Sequence, residues 1–176
     1  MKRTIVLLTL FLVMAAAAVA HGKGGKKMGE LRISSPAFAD KGTIPAVYTC
    51  DGRDMSPPLA IANVPEKAQS LALIMDDPDA PMGTWVHWVV WNIAPKGGEI
   101  REDSVPPGGV QGRNSWQRNG YGGPCPPSGS HRYFFKLYAL DATLDLPTAA
   151  AKSELEKAMK GHIIAEAQLM GTYKRK

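Results

Sequence analysis

The sequence predicts a mostly β domain with one late helix. Three observations carry this. Four runs rich in β-branched and aromatic residues are bounded by Gly, Pro and Asp. One stretch of strong helix formers stands near the end. Long connections between the runs absorb much of the chain's 18 glycines and 14 prolines.

Taken in order, Met1-Lys2-Arg3 is a basic start and Thr4 to Ala20 carries no charge. That apolar run falls short of the ~20 residues a bilayer span needs. With Ala18-Val19-Ala20 before His21, it reads as a cleaved signal peptide over residues 1–20 rather than as a retained anchor. The mature protein is then expected in the periplasm or outside the cell, without stable membrane insertion. Residues 21–30 are Gly- and Lys-rich and read as a disordered basic lead-in. One domain is expected over residues 31–176, starting near Leu31-Arg32-Ile33.

The strand-like runs are Ala46 to Thr49, Ser70 to Met75, Thr84 to Ile93 and Tyr133 to Leu140. Thr148 is the expected cap of a helix over Ala149 to Lys160, with Leu155 and Met159 on one face and Gly161 closing it. His162 to Tyr173 alternates well enough for a last strand, with Ala165, Ala167 and Leu169 on one side. The helix is expected to cover a face or edge of a sheet.

The net charge of +5 includes Lys2 and Arg3, so the mature chain is nearer +3. The excess sits at the two ends, and no zinc-finger spacing or aromatic ribonucleoprotein motif is present, so nucleic acid is not an expected partner. Cys50 and Cys125 are the only cysteines. Export permits a disulfide between them, but sequence alone does not decide whether they meet.

Three clusters offer chemistry. Asp76-Asp77-Pro78-Asp79-Ala80-Pro81 ends an apolar strand in a stiffened acidic turn, which reads either as a solvated turn or as a carboxylate aimed at a partner. In Trp85 to Asn92, period two puts His87 on the face of Trp85, Val89 and Trp91, as a core or a site residue. In Gly123 to Tyr133, a Pro/Gly-rich loop delivers His131 to a strand start. The length and composition of the whole 113–130 connection mark it as a functional loop with a fixed course. If Asp77, His87 and His131 converge, the carboxylate orients an imidazole and favours its charged form. The histidines then suit a small anion, with loop amides adding donors. No compact metal-ligand pair occurs, and no cofactor is expected. Ser115, Ser128 and Ser130 lie outside any nucleophile-elbow context, and no nucleotide-binding glycine motif is present.

These motifs resemble the phosphatidylethanolamine-binding protein family, which includes the animal Raf kinase inhibitor proteins. Thr49-Cys50-Asp51-Gly52, Ser56-Pro57-Pro58-Leu59 and Gly120-Tyr121-Gly122-Gly123-Pro124 are most similar to its bacterial and archaeal branch. The resemblance implies a large central sheet packed on a smaller one, with a helix near the C-terminus. It implies an anion-binding cavity at Asp77, His87, Pro127, His131 and Tyr133, with Asp79 close by. The gating C-terminal helix of animal members is not expected, since the chain ends at Lys176. A non-catalytic binder of phosphate or a phospho-head group is the expected function. The alternatives are a modulator of an envelope protease or kinase-like partner and, ranking lower, a hydrolase.

Overall fold

The computed structural model describes residues 29–175. The expected signal peptide and all but the end of the lead-in lie outside the described residues. The elements are β1 (Arg32–Ser34), a 3-10 turn (Ala46–Tyr48), β2 (Leu59–Ala62), β3 (Ser70–Asp77), β4 (Trp85–Ile93), β5 (Gly98–Ile100), β6 (Val110–Gln111), β7 (Ser130–Leu140), α1 (Lys152–Met159) and β8 (Ile163–Lys174). They form two antiparallel sheets. The smaller has the order β1-β2-β5 and the larger β6-β4-β3-β7-β8.

β3 is the middle strand of the larger sheet and is buried along its whole length. Its continuous apolar run is what burial on both faces demands. Leu71, Leu73 and Met75 face the smaller sheet, packing in one core with Ile33, Leu59, Ile61 and Ile100. Ala72 and Ile74 face the opposite way, into a second core closed by Leu155 and Met159 of α1. The helix therefore covers a sheet face. Ala165, Ala167 and Leu169 of β8 share the first core, as the alternation predicts.

Two expectations need correction. Ala46 to Thr49 is not a strand: Pro45 leads into a 3-10 turn closed by Tyr48 N–H to Pro45 O (3.0 Å) and Thr49 N–H to Ala46 O (3.0 Å). The Thr49 hydroxyl donates to the same Ala46 carbonyl at 2.8 Å, so local bonds replace a ladder. Thr148 does not cap the helix, which starts later, after Ala151. A turn bonded from Ala150 N–H to Pro147 O occupies the expected first turn, and Glu154 accepts the Ala151 N–H at 3.1 Å.

Candidate functional site

The site gathers at one end of the larger sheet, on the face toward the smaller sheet. Asp77 ends β3 and His131 stands second in β7; both fall in the same parity as the first-core residues of their strands. His87 reaches that face by a different route. The β3–β4 register shifts between Met75↔Trp88 and Asp76↔Val86, leaving one extra residue in β4 at His87. Such a bulge re-aims a side chain. His87 and Trp88 therefore face the same core, while Val89 and Trp91 pack in the second core behind the sheet. The expectation that His87 shares a face with Val89 and Trp91 is corrected by this bulge; without it the imidazole would point at α1.

The two histidines are held differently. His131 Nδ1 donates to Asp77 Oδ2 at 2.7 Å, with both side chains buried. Asp77 Oδ1 accepts the Asp79 N–H at 2.8 Å, which locks the acidic turn. His87 Nδ1 donates to the Gly122 carbonyl at 2.6 Å. Burial lowers the His87 pKa below its ordinary value, outweighing the opposing pull of the Gly122 carbonyl and of Asp77. The site thus pairs a carboxylate-bound imidazole with one kept neutral, each using Nδ1 on the protein and leaving Nε2 as the remaining polar ring atom.

Both rings line a cavity of about 440 Å³, shared with Asp77, Pro127, Asp54, Arg118, Trp85, Trp116 and Met82. The Trp116 ring stands edge-on to His87 at 5.1 Å and to Trp85 at 5.3 Å. Met82 is 92% exposed and Trp116 40% exposed, so the mouth is apolar. Arg118 pairs loosely with Asp54 at 3.5 Å. Asp79 does not line the cavity. Its carboxylate takes three N–H groups from Arg132, at 2.6 to 2.9 Å, and Arg132 holds its pKa down at about 2. Tyr133 lies behind the wall, its ring edge-on to His87 at 5.2 Å. Its hydroxyl is buried near the Cys125 backbone without a hydrogen bond of ordinary geometry, and burial raises its pKa.

The 113–129 connection does follow a fixed course, and its glycines serve another part of the same chain. A Cβ on Gly123 would sit 2.6 Å from the Tyr48 carbonyl oxygen, and the Gly123 N–H donates to Asp54 at 2.6 Å. Cys50 and Cys125 are joined in a disulfide.

Residues 34–174 match the family model of the phosphatidylethanolamine-binding proteins. The chain belongs to the phosphatidylethanolamine-binding protein family. A UPF0098 protein of Methanothermobacter thermautotrophicus is 51% identical over 150 residues, covering 82% of this chain and 99% of that protein. One from Pyrococcus abyssi is 46% identical over 185 residues, covering 99% of each. Among solved structures, a phosphatidylethanolamine-binding protein homologue from Chlamydia trachomatis superposes with a TM-score of 0.81 at 43% identity, covering 84% of this chain and 99% of the homologue. Escherichia coli YbcL gives 0.78 at 30% identity, covering 84% and 100%. The two-sheet architecture is the fold of this family.

Of the residues singled out from the family motifs, Asp77, His87, Pro127 and His131 line the cavity, while Asp79 and Tyr133 support it from behind. Asp54, Trp85, Trp116 and Arg118 were not singled out as site residues. Apart from Trp85 they lie in irregular segments, where no periodicity assigns a facing. The one available signal was the aromatic Trp116 inside a loop otherwise built of polar residues, Pro and Gly.

Proposed function

We propose that this member of the family is an exported, non-catalytic binding protein for small anions, namely phosphate or a phosphate-bearing head group. The observation that carries the reading is the buried Asp77–His131 pair at the cavity wall. A carboxylate on Nδ1 stabilises the imidazolium, and a charged Nε2–H is a strong donor to an anionic oxygen. Arg118 at the same wall adds a second positive group. A non-catalytic role is supported by how the histidines are engaged: Gly122 and Asp77 hold them, and both cysteines are tied up in the disulfide, so no nucleophile is coupled to a base. Export rests on the signal pattern of residues 1–20.

Calorimetric titration with phosphate, phosphoethanolamine and acetate tests the proposal. Competing binding at roughly 10⁻³–10⁻⁵ M is expected from a few charge-assisted bonds. No heat and no competition would sink it. Turnover of generic phosphoesters that disappears in His87→Ala would replace it with a hydrolase. The exposed Met82 and Trp116 at the mouth favour one second reading, modulation of a protein partner. A stoichiometric partner that stays bound in excess phosphate would select that reading.

A further inference from the structure

Cys50 and Cys125 are 75 residues apart in sequence, with Cα atoms 5.4 Å apart. Both are solvent-exposed, and both form part of the wall of the cavity that holds Asp77, His87 and His131. The disulfide joins a segment ending in Asp54 to a segment carrying Gly123 and Pro127, so it closes the pocket on one side.

The two segments are not equally secured. On the N-terminal side of Cys125, hydrogen bonds duplicate the cross-link. Cys50 N–H donates to Pro124 O at 3.2 Å, Gly123 N–H to Asp54 Oδ1 at 2.6 Å, and Tyr121 OH to Tyr48 O at 2.8 Å. On the C-terminal side nothing does. Pro126 and Pro127 have no N–H, and residues 126–129 make no hydrogen bond to the other described residues until β7 begins at Ser130. Gly129 has φ +69°, a conformation that suits glycine, with nothing within 4 Å of where a Cβ would stand. Pro126-Pro127 is therefore a stiff flap, pinned at Cys125 and hinged at Gly129.

We infer that the Cys50–Cys125 disulfide is a thiol-exchange site, and that its reduction releases the Pro126–Gly129 wall and weakens the pocket for its anion. The affinity effect rests on the anion-binding reading; release of the wall does not. The reductant is a dithiol. Its thiolate attacks one exposed sulfur and the cysteine S–S bond breaks. The bonding pair leaves on the other cysteine, which takes up a proton, and the second thiol of the reductant resolves the mixed disulfide. The protein gains two thiols and two electrons, and the dithiol is oxidised to its disulfide. Exposure of both sulfurs is what makes this exchange accessible. His131 keeps its place through the ladder with Tyr173 and its bond to Asp77, so the pocket is loosened rather than dissolved.

The test uses native protein with and without dithiothreitol, titrated with sulfate by calorimetry. Thiols are counted, and amide hydrogen exchange is followed over residues 122–131. Two thiols should appear without denaturant, and residues 128 and 129 should exchange faster while the sheet amides stay protected. Sulfate should bind about tenfold more weakly, the cost of re-ordering one or two wall residues on binding, with recovery on reoxidation. The double variant Cys50→Ser, Cys125→Ser should bind like the reduced protein and ignore dithiothreitol. If that variant fails to fold, the reduced native protein carries the comparison. Equal sulfate affinity in both redox states, or no thiol release from the folded protein, overturns the inference. Should the oxidised protein bind no sulfate, the anion reading falls, and hydrogen exchange alone then decides for or against release of the wall.

Discussion

Replacing Asp77 by Asn keeps the side-chain shape and removes one buried charge. Asp77 is 3% exposed, and its oxygens have separate partners: Oδ1 takes the Asp79 N–H and Oδ2 takes His131 Nδ1–H. In the variant the amide oxygen can keep the Asp79 bond, which turns the NH₂ toward Nδ1. Two donors then face each other, so His131 is driven to its neutral form with Nδ1 accepting. Unit charges about 4 Å apart attract by about 4 kcal/mol at an effective dielectric of ~20. Desolvation of the buried pair offsets roughly half of this. The remainder, about 2 kcal/mol, predicts sulfate binding roughly thirtyfold weaker below pH ~6. Calorimetry with sulfate across about pH 5–8 measures it, since sulfate keeps its charge where histidine titrates. The midpoint of the affinity profile should also move to lower pH. Unchanged affinity and midpoint would refute the reasoning. So would tighter binding, which would mean that Asp77 acts on the anion mainly by repulsion.

In the wild-type protein, sulfate affinity should fall as pH rises through ~6.5 with the loss of one proton, from His131, because burial already keeps His87 neutral there; a flat calorimetric profile over about pH 5–8 would make both histidines structural. Asp79→Asn should cost about 1 kcal/mol at pH 7, discounted because Arg132 is half exposed. The Asp79 pKa is depressed to about 2 in the folded state, so its stabilisation is present above the unfolded value and is lost as pH falls through about 2. Urea unfolding at neutral and acid pH should show the gap between wild type and variant closing. Tyr133→Phe removes a hydroxyl that has no partner, so stability should be unchanged or rise by up to about 1 kcal/mol; a loss in denaturant midpoint beyond that scale would reveal a bond to the hydroxyl.

The sequence made some elements legible for a clear physical reason. β3 is buried on both faces, which requires an uninterrupted apolar run, and α1 carries Leu155 and Met159 one turn apart on strong helix formers. β1, β2 and β5 are three or four residues long, too short for any period to register. β4 was legible as a strand, but its facing was not. Bulges at His87 and near Asn92, which sits at φ +56°, each invert the alternation, and no residue pattern announces a bulge. The Asp77–His131 pairing, 54 residues apart, depends on β3 and β7 lying side by side. The family motifs brought those residues together; periodicity alone did not. Asp54, Trp116 and Arg118 enter the cavity on loops, whose course is set by tertiary bonds such as Gly123 to Asp54.

The most direct test of the central claim is a crystal structure of the protein soaked with phosphate at low ionic strength. The account predicts phosphate in the cavity with one oxygen within hydrogen-bond distance of His131 Nε2, enclosed by His87 and Pro127. Phosphate held only by surface lysines, with His131 making no contact to it at saturating concentration, would contradict the account.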